Sequence, residues 1–304
     1  AGPEVAGMNR AMTAESSSAD PTRLTRIEAV AIVLTAVPIL CATFAPVIAT
    51  FDPLAVSNLV SQPPPTLREL PNLIWSVLFE QMPAPHWFGS DSSGMDVFSR
   101  TLYAARVDLV IAFSANILSF IVGVTLGVVC GFRSNPATEF IARIADLVQS
   151  FPVFITAMIL VALAGRTWGN IIFAMSLLYA PIYLRLTRTE ALKVKARGFI
   201  EASTAMGNSP IRILYHHILP NSLGPALIQF SVTIGFAILL TAGLSFVGAG
   251  VNPPTPEWGA MIAQGSTQLV LGDWWVSIFP GIAISLTVFG FALAGSALER
   301  RFES

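Results

Sequence analysis

Side chains that commonly perform catalysis or bind metals are few in this sequence, and they are not clustered. His86, His216 and His217 are the only histidines, and no carboxylate or thiol lies near the last two in the sequence. Because a metal or haem site needs several converging ligands, we expect this chain to bind no metal and no cofactor. His86 is predicted to lie in a surface loop.

The two cysteines do not suggest chemistry either. Cys41 and Cys130 each lie inside an apolar run, and two thiols are too few for a disulfide framework or a zinc site. An intramembrane enzyme would need a nucleophile and a base inside a span, and all three histidines lie outside the predicted spans. The sequence also lacks a Gly-x-x-x-x-Gly-Lys-Ser/Thr phosphate loop. We therefore expect packing cysteines and a protein that is not an enzyme.

The composition indicates a membrane protein. Of the 304 residues, 54% are hydrophobic and 12% are charged, whereas soluble domains average about 25% charged residues. Charged side chains are costly in hydrocarbon, which explains their scarcity if a lipid bilayer surrounds much of the chain. A formal net charge of -1 gives no reason to expect a nucleic-acid partner.

Long apolar runs predict the elements that hold these residues. A helix needs about 20 apolar residues to cross the hydrocarbon core. Segments without Asp, Glu, Lys or Arg occur at 29–51, 109–132, 147–165, 167–184, 213–256 (with an apolar centre at about 223–249) and 274–298. The predicted fold class is therefore all-α, a polytopic transmembrane helical protein with six spans. Only the stretch 164–170 separates the third span from the fourth.

The distribution of Lys and Arg predicts the orientation. With a cytoplasmic N-terminus, thirteen of these residues lie inside and four lie outside, and cytoplasmic loops are the ones enriched in positive charge. Both termini are therefore predicted to be cytoplasmic. The chain then divides into a polar cytoplasmic tail at 1–26 and a transmembrane domain at 27–304. That domain has an extracytoplasmic loop at 52–105 and a cytoplasmic loop at 185–222.

The spans contain a few residues that are not simply apolar. Gly123, Gly127 and Gly131 recur every four residues, which predicts one small-residue face for close helix packing; a glycine-lined substrate path is the alternative. Four polar, uncharged residues either line an aqueous pathway or bond between helices: Asn116, Gln149, Gln229 and Thr233. No apolar run carries a charge in its middle, whereas a proton- or ion-coupled carrier usually needs one, so any transport by this chain would be driven from elsewhere. An ATP-independent secondary transporter is therefore the less favoured alternative.

The cytoplasmic loop contains signals for two short helices. Residues 201–206 favour a helix, and Gly207 suits the left-handed turn that ends one. Ser209 and Pro210 are typical of the N-cap and the first position of a second helix, and Pro220 is expected to end that helix.

The first of these short helices has an apolar surface. Phe199, Ile200 and Met206 give it apolar side chains, and no bilayer is expected to cover them. A partner protein is the natural cover for such a surface.

A spaced set of residues in this loop matches a known signature: Glu201, Ala202, Ser203, Gly207, Leu219 and Pro220. The set resembles the EAA loop of bacterial ABC-importer permeases, which reads Glu-Ala-Ala-x3-Gly-x9-Ile-x-Leu-Pro. The spacing agrees throughout. Ser203 replaces the third small residue and His217 replaces the Ile, and neither change removes the pattern.

Two more segments are similar to the dipeptide/oligopeptide branch of these permeases. Residues 88–96 read Phe-Gly-Ser-Asp-Ser-Ser-Gly-Met-Asp, which is similar to Gly-Thr-Asp-x-x-Gly-Arg-Asp, with Met95 in place of the Arg. Residues 244–261 are similar to Leu-Ser-Phe-Leu-Gly-x-Gly followed by Pro-Pro-x-Pro-x-Trp-Gly-x-Met. The resemblance covers about 27–298 and matches the C-type subunit, while the stretch 290–303 departs from its usual ending.

The resemblance implies a subunit of the bacterial inner membrane that works with partners. These are a second, homologous permease, two cytoplasmic ATPase subunits that carry ATP and Mg, and an extracytoplasmic solute-binding protein. The helix around 201–207 would dock on an ATPase, whose closure would move the spans between two states. The segments 52–105 and 250–261 would lie where the binding protein delivers solute. Di- or oligopeptides are the expected solutes, with glutathione and nickel or other metal chelates as alternatives within the family.

Overall fold

A computed structural model describes residues 26–79 and 84–303 of the chain. The predicted tail of residues 1–26 therefore lies outside the described residues, except for Arg26, where the first helix begins. The described residues are mainly helical and contain no strand beyond a single antiparallel bridge between Ser90 and Asp96. The all-α prediction is confirmed.

Five helices are long and apolar enough to cross a bilayer. They are α1 (Arg26–Ile48), α3 (Val97–Phe132), α6 (Trp168–Lys195), α10 (Gly224–Phe246) and α12 (Trp275–Glu303). With 36 residues, α3 is about 54 Å long and exceeds the hydrocarbon thickness of about 30 Å. It begins well before the expected boundary at 109, because a helix continues through charged residues that end an apolar run.

The remaining apolar run forms a bent pair of helices instead of one straight span. Helices α4 (Pro136–Gln149) and α5 (Val153–Ala164) meet at an angle of 93°. Pro152 explains the break, because proline lacks an N–H and pushes the residue before it out of the helical region. With twelve residues, α5 rises about 18 Å and does not reach across the core by itself. The predicted span at 147–165 covers the end of α4, the break and all of α5, and a total of six spans is compatible with this pair.

Two of the long helices pack backbone against backbone. A Cβ atom added to Gly123 would come within 2.4 Å of the Ala180 carbonyl oxygen, and one added to Gly127 would come within 2.6 Å of the Leu184 oxygen. Gly131 is equally crowded against α6. The predicted small-residue face therefore packs against α6, since only glycine permits this approach.

Short elements close the two ends of the bundle. At one end lie α7 (Gly198–Ala205), α8 (Pro210–Ile213), a π-helical turn (Leu214–Ile218) and α9 (Leu219–Ser222). The Lys195 ammonium there donates to the Phe132 carbonyl at 2.8 Å, and we call this the basic end. The opposite end carries α2 (Leu70–Phe79), α11 (Trp258–Gln268) and a 3-10 turn (Leu269–Leu271).

Candidate coupling segment and polar clusters

Helix α7 ends in a closed turn built on glycine. Gly207 has a φ of +81°, a left-handed conformation that L side chains rarely adopt. Its N–H donates to the Thr204 oxygen at 2.9 Å, and the next N–H, that of Asn208, donates to the Ser203 oxygen at 3.3 Å. These two bonds form a Schellman motif, which satisfies carbonyl groups that the end of a helix leaves free. The predicted glycine stop is confirmed, and the helix starts three residues earlier than expected, at Gly198.

The second short helix starts as predicted but does not stop as predicted. The Ser209 hydroxyl caps it by accepting from the Arg212 N–H, and Pro210 occupies the first turn. Pro220 does not end it, because the helical segment continues to Ser222. The π-helical turn explains this, since there the Leu219 N–H bonds to the Leu214 carbonyl and the wider turn accommodates the proline that follows.

The side chains of α7 divide between an outer and an inner face. Glu201, Ala202 and Met206 are exposed, and Met206 keeps 76% of its surface accessible. Ser203 is buried, and its hydroxyl oxygen lies 3.0 Å from the Asn208 amide nitrogen. Ile200 is also buried, so its assignment to the uncovered apolar surface is wrong. Residue 200 lies on the helix face that turns toward the bundle.

The inner face joins α7–α9 to the long helices. Ile200, Ile213 and Ile218 are at most 6% exposed and share one apolar cluster with Val128 of α3 and Val194 of α6. Leu219 packs against the same cluster, while Pro220 is exposed. A displacement of this segment would therefore be transmitted directly to α3 and α6, because close-packed side chains transmit strain.

Three of the four polar residues predicted along the spans come together. Asn116 is fully buried, donates to the Phe230 carbonyl at 2.8 Å and accepts from the Tyr183 hydroxyl. Gln229 donates to the Thr233 hydroxyl at 3.0 Å, and Thr233 in turn contacts Tyr183. In this conformation Asn116, Thr233 and Tyr183 tie α3, α6 and α10 together, while the Gln229 bond lies within α10.

Gln149, the fourth of these polar residues, lies away from the other three. It ends α4 and accepts a hydrogen bond from Arg185 of α6, beside a contact of 3.6 Å between Arg188 and Glu139. These contacts hold α4 next to the basic end of α6.

The loop at the opposite end is more tightly built than the sequence suggests. His86 is buried, stacks on Phe51 with ring centroids 4.5 Å apart, and places Nδ1 2.8 Å from an Asp96 carboxylate oxygen. The prediction of a surface histidine is wrong, because Asp96 offers a partner that makes burial favourable. Trp275 is also buried and donates its indole N–H to the Ser90 carbonyl at 3.0 Å.

The side chain of Met95 contacts the guanidinium of the buried Arg100. The Arg100 guanidinium contacts the Met95 sulfur at 2.7 Å and the Pro53 carbonyl at 3.2 Å. Asp91 accepts from the Met95 N–H at 3.0 Å. The replacement of arginine by methionine is thus accommodated inside a closed loop.

A buried carboxyl pair lies between α3 and α11. Asp108 of α3 and Glu257, the N-cap of α11, are both fully buried, and their side chains lie within hydrogen-bonding reach of each other. The helix that carries the apolar run 109–132 starts at Val97, so Asp108 lies within α3, directly before that run.

Comparison with known proteins identifies the family of this helical chain. Residues 123–304, more than half of the chain, match the family described as the binding-protein-dependent transport system inner membrane component. The chain belongs to this family. It is a transport component rather than an enzyme, and with its several apolar helices it is a multi-pass protein of the inner membrane.

Several curated relatives cover most of this inner membrane component. It is 36% identical to the dipeptide transport system permease protein DppC of Alkalihalophilus pseudofirmus, over 83% of this chain and 79% of the relative. It is 36% identical to the probable D,D-dipeptide permease DdpC of Escherichia coli, over 91% and 86%. It is 38% identical to the glutathione permease GsiD of Pectobacterium atrosepticum, over 70% and 71%.

A solved structure supports the fold of the inner membrane component. A chain of the MetNI methionine ABC transporter in inward-facing conformations superposes with a TM-score of 0.54 at 20% identity, covering 66% of this chain and 95% of that one. At that identity the likeness concerns the fold.

Two polar residues of this inner membrane component were missed by sequence reasoning. Asp108 lies directly before the charge-free segment 109–132, and Glu257 lies directly after the segment 213–256. The available signal was the position of Glu257 directly before Trp258, since an acidic residue at the start of a helix caps its free N–H groups. The partner of Glu257 is 149 positions away in the sequence and gave no local signal.

Proposed function

We propose that the chain forms half of the translocation pathway of an ATP-driven importer for di- or oligopeptides. Its partners in this proposal are a homologous permease, two cytoplasmic ATPase subunits that carry ATP and Mg, and an extracytoplasmic solute-binding protein. The observation that supports it best is α7, a glycine-stopped helix whose outer face is exposed at the basic end while its inner face is packed against α3 and α6.

In the proposed coupling, each signature residue of this segment has a distinct part. Glu201 and Ala202 face outward and would contact the ATPase. Ser203 and Gly207 shape the end of α7, through the Asn208 contacts and the left-handed turn. Leu219 anchors the segment in the apolar cluster beside the exposed Pro220. ATP-driven closure of the ATPases would then move α3 and α6, which share that cluster.

The opposite end would receive the solute. Arg100 links the loop that precedes α3 with the segment before α11, through contacts to the Pro53 carbonyl and to the Pro254 carbonyl at 3.5 Å. Arg100 thus holds the segments 52–105 and 250–261 together at these two carbonyls, and a binding protein would dock on this side. Both chain ends would lie on the cytoplasmic side.

Two other kinds of solute are candidates for the same kind of importer. The relatives include glutathione permeases as well as dipeptide permeases at similar identity, so glutathione or a metal chelate such as a nickel complex is the second candidate. A secondary transporter that needs no ATP is the candidate of another class, and the family membership disfavours it.

The decisive experiment reconstitutes the chain in proteoliposomes with its second permease, its ATPases and its solute-binding protein. Uptake of a labelled dipeptide is measured with ATP, with a non-hydrolysable analogue and without nucleotide. Labelled glutathione and a nickel chelate are measured in parallel. We expect ATP-dependent uptake of the dipeptide that also requires the binding protein.

Each alternative has its own result. ATP-dependent uptake of glutathione or of the chelate, without uptake of peptide, would retain the importer and replace the solute. Uptake driven by an ion gradient in the absence of ATP would overturn the proposed function altogether.

A further inference from the structure

Among the described residues, no cation pairs with the buried Asp108 and Glu257. Neither carboxyl group forms an ion pair within the described ranges 26–79 and 84–303. Two carboxylates in contact, removed from water, cannot both stay ionised, because like charges repel strongly where the dielectric is low. One of the four carboxyl oxygens must therefore hold a hydrogen.

The hydrogen bonds decide which oxygen has room for it. Both Glu257 oxygens accept from backbone N–H groups of α11, one from Gly259 at 2.9 Å and the other from Ala260 at 2.7 Å. Asp108 Oδ2 accepts from the Trp258 N–H at 3.1 Å. Asp108 Oδ1 is buried and accepts from no N–H or O–H group in the part of the chain that the structure describes. A hydrogen on any of the first three oxygens would make that oxygen a weaker acceptor for its N–H donor, whereas a hydrogen on Oδ1 would weaken no such bond.

We propose that Asp108 holds a proton on Oδ1 and donates it to Glu257, so that an acid–carboxylate clasp fastens the start of α11 to α3. The proton supplies the partner that Oδ1 lacks, and it leaves a single negative charge at the pair. That charge lies at the N-terminus of α11, where free N–H groups favour an anion.

The elements around the clasp carry no group that would replace the proton. Helices α10 and α11 contain no Asp, Glu, Lys or Arg. On α3, Arg100 is engaged with the loop contacts described above, and Arg106 is exposed, with its guanidinium carbon 6.0 Å from the centroid of the Tyr103 ring. The charges described on α1 and α12 are at the basic end, where Glu28 contacts Arg301.

The surrounding packing leaves the start of α11 little freedom. The Trp258 indole donates to the Thr101 carbonyl of α3 at 3.0 Å. A Cβ atom on Gly259 would come within 2.2 Å of the Ala242 oxygen of α10. Loss of the proton would place two repelling charges at this junction, so we expect α11 to loosen from α3 at high pH. This inference does not depend on the solute or on the proposed function.

The test compares isosteric variants in the assembled transporter. In Asp108→Asn the amide nitrogen can take the place of the protonated Oδ1 and donate to Glu257. In Glu257→Gln the amide hydrogens would face the N–H of Gly259 or Ala260. Asp146→Asn, at an exposed position on α4, is the matched control. Infrared difference spectra at about pH 8, where free carboxyl groups are ionised, report any protonated carboxylic acid.

We expect a carboxylic-acid C=O band in the parent and in Asp146→Asn that is lost in Asp108→Asn. We also expect the Tm of the parent to fall at alkaline pH. Asp108→Asn should have the same Tm as the parent at neutral pH and should not show this fall. Glu257→Gln should have a lower Tm than the parent at both pH values. The absence of the band from the parent would overturn the proposal even if a variant failed to fold. Equal loss of Tm in the two variants would also contradict it.

Discussion

Single residues decide how closely α3 and α6 approach. Gly127 faces the α6 backbone with no space for a methyl group, whereas Gly281 of α12 has no atom within 4 Å of the position that a Cβ would take. The same residue type therefore has different roles in two membrane helices. Spacing identified the first role correctly, because three glycines four residues apart define one helix face.

We expect Gly127→Ala to destabilise the protein and Gly281→Ala to leave its stability nearly unchanged. Overpacking at a close contact costs about 1–3 kcal/mol, and the added methyl group would force α3 away from Leu184. Thermal unfolding of the two variants in the same detergent measures the difference. Equal melting temperatures would show that α3 and α6 can separate at no cost.

At the scale of elements, some features of α7 and the segment after it follow from local sequence, and others depend on tertiary packing. Gly207, Ser209 and Pro210 act on the backbone of their own turn, so their effects could be predicted from local sequence. The burial of Ile200 and the passage of the helix through Pro220 depend on the helices packed behind them. Local sequence contains neither fact.

We expect Gly207→Val to abolish co-purification of the ATPase subunit and transport, while the chain still inserts in the membrane. A β-branched residue in the left-handed region costs about 1–2 kcal/mol, so the turn would change and α7 would lose its end. Gly272→Val is the matched control, because Gly272 has a φ of +101° at the opposite end and is equally free of neighbours. If the Gly207 variant kept full assembly and uptake, α7 would not be the docking element.

At the scale of the whole molecule, the two ends of the bundle differ in charge and in construction. The basic end carries Arg133, Lys195 and the exposed face of α7, and the opposite end carries the closed loop and α11. The excess of Lys and Arg predicts that the basic end is cytoplasmic.

This orientation is testable by cysteine labelling. After Cys41 and Cys130 are replaced by alanine, we expect Ser93→Cys to react with an impermeant maleimide on intact cells. Ser134→Cys, exposed near the basic end, should react only after permeabilisation. The reverse pattern would invert the predicted topology, and a variant without any introduced cysteine controls for background.

The sequence by itself determined the helical class, the apolar helices, the glycine face, the start and stop signals around α7 and the family. These follow from composition and from spacings of a few residues, which a helix converts directly into faces and ends. The tertiary structure decided the bend between α4 and α5 and the burial of His86 and Ile200. It also showed that Asn116 and Thr233 bond between helices, and it brought Asp108 to Glu257. Those outcomes depend on contacts between residues distant in sequence, because the cost of burying a polar group depends on the partner that the fold provides.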